Sequence, residues 1–114
     1  MAATESAIDQ SIIKLIKQRK GYARKTHGTP TSRGWPDIVG VYRGHPLMLE
    51  VKRPNQSYGV TPLQDRELTR WERAGAVAGV VTSKAQVVAI LDGIDASVDD
   101  DPNRLDPHPT ERTS

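Results

Sequence analysis

Residues 34–52 read GWPDIVGVYRGHPLMLEVK, and this stretch indicates how the chain folds. Two largely apolar runs, 37–42 and 46–52, flank the short segment 43–45, which contains a glycine. Two strand-like runs joined by so few residues are typical of a β-hairpin. We therefore expect a hairpin at the middle of the chain, with the rest of the sheet built around it.

The hairpin would gather three ionisable side chains at one end, because it sets Asp37 beside Glu50. Alternation along the strand puts Glu50 and Lys52 on one face and turns Val51 into the core. Two adjacent carboxylates repel unless a cation joins them, and oxygen ligands suit a hard ion such as Mg²⁺ or Mn²⁺. Lys52 would orient or deprotonate an attacking water, or offset charge on a phosphate. The alternative is an ordinary surface Glu–Lys pair on an edge strand, which contributes little to stability.

The flanking segments alternate between helical and strand-like patterns. Apolar residues at helical spacing follow Thr4, a candidate N-cap, and Gly21 is a candidate C-cap. A nearly all-apolar strand over 76–82 is expected at the centre of the sheet. The order helix, three strands, helix, strand, helix predicts an α/β fold with a mixed sheet of about four strands flanked by helices. The other predicted elements are helices over 4–20 and 61–74, a strand over 22–27, and a last helix capped by Ser83 with Gln86.

Two polar residues lie on helix faces that we expect to be buried. Glu5 falls near the middle of the apolar stripe of the first helix, either as an acid facing a site or as a wet first-turn acid favoured by the helix dipole. Gln64 forms a capping box with Thr61, yet it shares an inward face with Leu68 and Trp71. Both roles stay open for each of the two residues.

The charge is unevenly distributed along the chain. The 114 residues carry 16 basic and 14 acidic side chains. Residues 92–114 hold seven of the acids and two of the bases, so residues 1–91 keep a net charge of +7. This predicts a basic domain over 1–91, suited to a polyanion, and an acidic, proline-containing and flexible tail over 92–114. Alternatively, the basic residues simply lie on solvent-exposed faces of helices.

Composition excludes several classes of protein. No apolar run approaches the ~18 residues of a membrane-spanning helix. The chain has no cysteine, which excludes disulfides and thiolate metal sites. It also lacks a basic segment followed by an apolar one at its start. We therefore expect a cytoplasmic protein with no membrane partner.

The motif Pro36-Asp37…Glu50-Val51-Lys52 resembles that of the PD-(D/E)xK nuclease superfamily. More narrowly, the chain is similar to stand-alone VRR-NUC (virus-type replication-repair nuclease) proteins. These share a Gly-x-Pro-Asp step, a Glu-Val-Lys strand, and a helix that opens with Thr or Ser followed by Gln, here Thr61 and Gln64. The resemblance covers Thr4 to Leu91 and implies a restriction-endonuclease-like core.

The resemblance also implies roles for site residues. Asp37, Glu50, the Val51 carbonyl and Glu5 would hold Mg²⁺ or Mn²⁺, Lys52 would be the catalytic lysine, and Gln64 would position Lys52 or substrate. The implied reaction is endonucleolytic hydrolysis of DNA phosphodiesters by a homodimer, with preference for Holliday junctions or other branched DNA. It also implies a bacterial or phage-infected host. The alternatives are a restriction-like or nicking nuclease, or a non-catalytic nucleic-acid-binding module.

Substrate contacts are expected from basic residues near the motif and from one loop aromatic. Such side chains hold the phosphodiester backbone without reading sequence, and an aromatic ring can stack on a base. The two tryptophans are expected to pack, and His27 and His45 are expected to have structural or solvent roles. The expected DNA contacts are Arg24, Lys25, Arg33, Arg53 and Tyr58.

Overall fold

Three helices and four strands follow one another in the expected order in this computed structural model, which describes residues 5–26, 34–53 and 60–100. At 5, 6 and 98–100 the description covers the backbone alone. The predicted α/β class is confirmed. The elements are α1 (Glu5–Gln18), β1 (Tyr22–Lys25), β2 (Ile38–Tyr42), β3 (His45–Val51), α2 (Pro62–Arg73), β4 (Val77–Val81) and α3 (Lys84–Asp100).

The four strands form one mixed sheet in the order β1-β2-β3-β4. The two pairs made by β2 are antiparallel, and β3 pairs with β4 in parallel. The central hairpin turns through only Arg43 and Gly44, both at positive φ. Two left-handed residues form the tight turn whose twist matches the strands, so His45 joins the ladder opposite Tyr42 instead of lying in the turn.

Helices cover both faces of the sheet. On one face, α1 and α3 bury a cluster that includes Ile12, Ile16 and Leu91 with the strand residues that point toward them. On the other face, α2 packs Leu68 and Trp71 against Met48, Val39 and Ala78. β3 is therefore buried on both sides. None of the described helices is both long and apolar enough to cross a bilayer.

The prediction that β4 occupies the centre of the sheet is wrong, because β3 and not β4 has a strand on each side. β4 is nevertheless covered on both faces, since Val77 packs toward α1 and α3 and Ala78 packs toward α2. An edge strand with helices on both faces is as apolar as a central strand. Only Val80, which is 41% exposed, shows its edge position.

The first helix ends at Gln18, two residues earlier than expected. The amides of Lys20 and Gly21 donate to the carbonyls of Lys17 and Ile16 in the pattern of a Schellman motif. The left-handed residue of that motif is Lys20, with φ of 71°, and not Gly21. Gly21 is needed for space, because a Cβ there would lie 2.8 Å from Ile16 Cγ2 and 2.9 Å from the Val41 carbonyl oxygen. The expected N-cap, Thr4, lies outside the described residues.

The last helix continues past Leu91, where the sequence places the end of the domain. It extends to Asp100, and Ile94 is buried in the cluster beneath α1. Asp95 accepts a hydrogen bond from the Tyr42 hydroxyl at 2.8 Å. The acidic residues at 92 and 95 thus belong to a packed helix, because their neighbours on α3 keep an apolar face. Residues 101–114 lie outside the described part of the chain.

Candidate active site

The two expected carboxylates lie at the same end of the hairpin. The β2–β3 ladder ends with Ile38 opposite Leu49, so Asp37 and Glu50 are the next residues on their strands. The backbone amide of Val51 donates to Asp37 Oδ2 at 2.8 Å. This hydrogen bond ties the start of β2 to the end of β3. It also orients Asp37 toward the strand that carries Glu50.

Glu50 is the most constrained side chain of the group. It is only 2% exposed and lies on the face of β3 that α2 covers, opposite to Val51. Its Oε2 accepts a hydrogen bond from Gln64 Nε2 at 2.6 Å and lies 3.5 Å from Lys52 Nζ. Its other oxygen, Oε1, is buried and has no hydrogen-bond partner among the described residues. A buried carboxylate oxygen without a donor is costly, so this atom marks a place for an added ligand.

The electrostatics of Glu50 also indicate a deficit of positive charge. Burial raises the pKa of Glu50, and the nearby charge of Asp37 raises it further. Lys52 lowers it, but the balance leaves the pKa at about 7 instead of its ordinary 4.5. One lysine thus compensates two carboxylates incompletely. Perturbed acids of this kind are concentrated at functional sites.

The donors present suit a hard cation. Two carboxylates lie at the same end of the two inner strands, beside the Val51 backbone, and Glu50 Oε1 has no hydrogen-bond donor among the described residues. Within residues 7–26, 34–53 and 60–97, no cluster of three or more His, Cys, Asp or Glu side chains could form a complete protein cage. Mg²⁺ does not require such a cage, because it is commonly held by one or two carboxylates together with waters and substrate phosphates. The residues therefore fit Mg²⁺ or Mn²⁺.

The expected phosphate contacts separate into two groups. Arg24 is exposed and pairs with Val39 in the sheet, so it lies on the α2 face that also carries Glu50. Lys25 faces the other way. Its Nζ lies 3.0 Å from Oδ2 of Asp9 on α1, and its side chain is 35% exposed. A contact between Lys25 and a phosphate would have to compete with this ion pair.

Arg53 is exposed directly after Lys52, as the expected phosphate contact requires. Arg33 and Tyr58, the other expected contacts, lie outside the described residues, as does His27. Glu5 is the first residue of α1, but its side chain is not described, so its metal role stays a prediction. His45 is the first residue of β3 and pairs with Tyr42 at the hairpin turn, far along the strand from Asp37.

The tryptophans pack together as expected, but not completely. Their rings meet edge to face, with centroids 6.3 Å apart. Trp71 belongs to the cluster under α2, whereas Trp35 stays 43% exposed two residues before Asp37. An exposed indole thus lies close in the chain to the site.

Sequence reasoning missed one buried acid. Asp9 is 2% exposed, and its carboxylate lies beneath the first strand, where it pairs with Lys25. Its spacing from Ile12, Ile13 and Ile16 is that of one helix face, a signal that was available in the sequence.

Comparisons with known proteins agree with this architecture. A solved structure described as a VRR_NUC domain is 29% identical, with a TM-score of 0.63, and the match covers 79% of this chain and 97% of that one. A second, described as a VRR_NUC domain protein, is 17% identical with a TM-score of 0.60, covering 87% and 91%, and it supports the fold alone. No family model and no curated protein matches the sequence. This likeness extends over most of the chain, which is therefore similar to VRR-NUC domains in its fold and, at 29% identity, in its sequence.

Proposed function

We propose that this protein is a divalent-metal-dependent endonuclease that hydrolyses DNA phosphodiester bonds and prefers branched DNA. The VRR-NUC fold supports the coarser statement that the chain is a nuclease domain. The observation that carries the finer proposal is Glu50. It is a buried carboxylate with one oxygen left without a donor and a pKa raised to about 7, beside Asp37 and Lys52.

The cation would be held by Asp37, Glu50 and the Val51 carbonyl, with Glu5 as a further ligand. When bound, it would supply positive charge that offsets the two carboxylates and polarises the phosphate. Because the protein offers few ligands, substrate phosphate would complete the coordination, which couples metal binding to DNA binding. Glu5→Gln should then weaken cleavage strongly with little loss of fold. Unchanged cleavage would leave Glu5 as a first-turn acid.

Lys52 is the residue best placed to act on the reacting group. Its side chain is 17% exposed, and its amide donates to the Val81 carbonyl at 2.9 Å, which fixes the backbone beside β4. From this position its ammonium would offset charge that develops on the non-bridging phosphate oxygens, or orient the attacking water. In the reaction, the water oxygen forms a bond to phosphorus while the bond to the leaving oxygen breaks.

DNA would approach the α2 face of the sheet near Arg24 and Arg53, both exposed. Backbone contacts from arginine give affinity without sequence choice. Among the described helices only α2 is rich in arginine, and its one glutamine, Gln64, contacts Glu50, which favours recognition of DNA shape over the reading of bases. A homodimer would set two sites against two strands of a branched molecule. Size-exclusion chromatography with light scattering would test that assembly, and a monomer that cleaves junctions would contradict it.

The decisive assay incubates the protein with labelled four-way junction, flap, duplex and single-stranded DNA in Mg²⁺, Mn²⁺ or EDTA. We expect cleavage that requires the metal, is fastest on the junction, and is lost in Lys52→Ala. Lys14→Ala is the matched control, because Lys14 is an exposed lysine of α1 outside the site. Binding without cleavage in either metal would favour the non-catalytic module. Equal cleavage of plain duplex would favour a restriction-like or nicking nuclease.

A further inference from the structure

Two helices of this protein begin with a hydroxyl residue followed three positions later by glutamine. In α2, the backbone amide of Gln64 donates to Thr61 Oγ1 at 3.1 Å, and the backbone amide of Thr61 donates to the side-chain oxygen Oε1 of Gln64 at 3.0 Å. In α3, the backbone amide of Gln86 donates to Ser83 Oγ at 3.3 Å, and the side-chain oxygen Oε1 of Gln86 accepts from the backbone amide of Thr82 at 2.7 Å. Both arrangements satisfy amides that a helix leaves unpaired at its start.

The two glutamines differ in their surroundings and in what the side-chain NH₂ group can contact. Gln86 is exposed on the helix surface. Gln64 is partly buried, and its Nε2 donates to Glu50 Oε2 at 2.6 Å. A short hydrogen bond from an amide to a carboxylate is charge-assisted and stronger than a neutral one. The capping box of α2 is therefore continuous with the candidate active site, whereas the cap of α3 is not.

The capping box also determines which way the Gln64 amide points. A glutamine amide has an accepting oxygen at one corner and a donating NH₂ group at the other. Because Thr61 presents an N–H to one corner, the oxygen must lie there, and the NH₂ group then faces Glu50. The reversed amide would set a carbonyl oxygen against the carboxylate and two donors against each other. Both contacts select the same orientation.

We propose that Thr61 is a positioning residue for the site: its capping box locks the Gln64 amide so that the NH₂ group holds Glu50 Oε2 and leaves Oε1 for the cation. This inference deepens the proposed function and rests on it for its kinetic test. With Oε2 held by Gln64 and near Lys52, Glu50 presents one defined oxygen instead of rotating. Removing the Thr61 hydroxyl loosens the first turn of α2, and the side-chain amide of Gln64 is then less firmly oriented.

Four variants separate positioning from simple helix capping. Thr61→Ala removes the hydroxyl, and Thr61→Ser restores it. Gln64→Glu keeps an oxygen for the Thr61 amide but replaces the donor with a second acceptor facing Glu50. Ser83→Ala is the matched control, because it weakens the cap of α3 without touching Gln64. All are assayed at pH 8 and at least 15 °C below the lowest melting temperature, with the assay repeated across metal and DNA concentrations.

We expect Thr61→Ala to lower kcat about fivefold with KM for DNA little changed, and Thr61→Ser to restore wild-type kcat. Gln64→Glu should lower kcat about a hundredfold, because it sets two negative charges together. Ser83→Ala should lower the melting temperature about as much as Thr61→Ala does, yet leave kcat within about twofold. Equal kcat losses in Ser83→Ala and Thr61→Ala, or no loss in Thr61→Ala, would overturn the inference.

A second measurement does not depend on turnover. In ¹⁵N-labelled protein, the side-chain NH₂ signals of Gln64 are identified by their loss in Gln64→Glu. They should lie apart from those of exposed glutamines such as Gln10 and Gln18. Thr61→Ala should move them toward the exposed values, and Ser83→Ala should not. If wild type cleaves no DNA, the proposed function fails, but the positions of these signals still decide whether Thr61 orients Gln64. Unchanged Gln64 side-chain shifts in Thr61→Ala would overturn the inference.

Discussion

Acidic side chains lie at both ends of the strand β2, and the protein's own donors and cations compensate their charge to different extents. At the hairpin end, Asp95 of α3 lies against the end of β2 and against Arg19, which follows α1. Its carboxylate accepts from the Tyr42 hydroxyl at 2.8 Å, from Arg43 at 3.1 Å and from Arg19 at 3.0 Å. At the other end, Glu50 has one amide donor at 2.6 Å, one lysine at 3.5 Å and a second carboxylate nearby.

The pKa values of the two acids report this difference. Burial raises the pKa of Asp95, but hydrogen bonds from Tyr42 and Arg43 and the charge of Arg19 outweigh it, so the pKa is lowered. Burial and the charge of Asp37 raise the pKa of Glu50, Lys52 and a hydrogen bond from the Asp37 backbone lower it, and the balance leaves it at about 7. Asp95 is therefore compensated within the fold and contributes structure. Glu50 is not compensated to the same extent, which is the condition that the proposed metal site would use.

The strongest test of this contrast removes one charge at each end of β2 without changing shape. Glu50→Gln should lower cleavage about a thousandfold, because it removes a cation ligand and the charge that attracts the cation. Asp95→Asn should leave cleavage within about twofold. Rates are compared on the four-way junction in saturating Mg²⁺. A comparable loss in both variants would mean that the two ends of β2 do not differ in function.

The second test concerns stability as a function of pH. A carboxyl group whose pKa is raised by folding binds more protons in the folded state, so the free energy of unfolding falls as pH rises from about 4.5 to about 7. In metal-free buffer, Glu50→Gln should remove this fall and be more stable than wild type above pH 7, by on the order of 3 kcal/mol. Urea unfolding at pH 4.5, 6 and 8 measures it. Parallel curves for the two proteins would contradict the raised pKa.

The third test applies the same logic with the opposite sign at Asp95. Its lowered pKa stabilises the folded state above the ordinary value of 3.8, and this contribution is lost as pH falls through the folded pKa. Asp95→Asn leaves Arg19 and Arg43 without this partner and should cost on the order of 2 kcal/mol at pH 7. The difference from wild type should shrink below pH 4. A variant as stable as wild type at pH 7 would show that these contacts of Asp95 contribute nothing.

The smallest expected effect is stabilisation by the cation itself. A ligand that binds only the folded state at ten times its Kd stabilises the fold by about 1.4 kcal/mol. Mg²⁺ should therefore raise the melting temperature of wild type near pH 7, and the rise should be absent in Glu50→Gln and preserved in Asp95→Asn. The same titration with NaCl at equal ionic strength controls for screening. An equal rise in all three proteins would indicate a nonspecific salt effect.

Much of the fold follows from local patterns. The spacing of Ile8, Ile12 and Ile16 predicts α1, and the two apolar runs around 43–45 predict the hairpin. The Thr61–Gln64 spacing predicts a capping box, which is present. These features are predictable because helical and strand periods, and caps, depend on residues a few positions apart. The placement of β4 and the length of α3 depend on what covers them, and there the prediction failed.

The candidate site was only partly predictable. The motif indicated that Asp37, Glu50 and Lys52 would meet, and the structure brings them together. It did not indicate that Gln64 contacts Glu50 instead of Lys52, or that Asp9 is buried against Lys25. Both contacts join different elements, and the sequence pattern of one element does not specify its partner. The roles expected for Arg33 and Tyr58 stay predictions.

By itself, the sequence determined the elements, their order, and the presence of acids and a lysine at the end of a buried hairpin. Only the tertiary structure decided which acid is compensated by the protein's own groups. Tyr42 and Asp95 are 53 residues apart, and Glu50 and Gln64 are 14 apart, yet each pair shares a hydrogen bond. The physical reason is that burial and the approach of distant charges set the state of a carboxylate, and both exist only after the sheet and its helices have packed together.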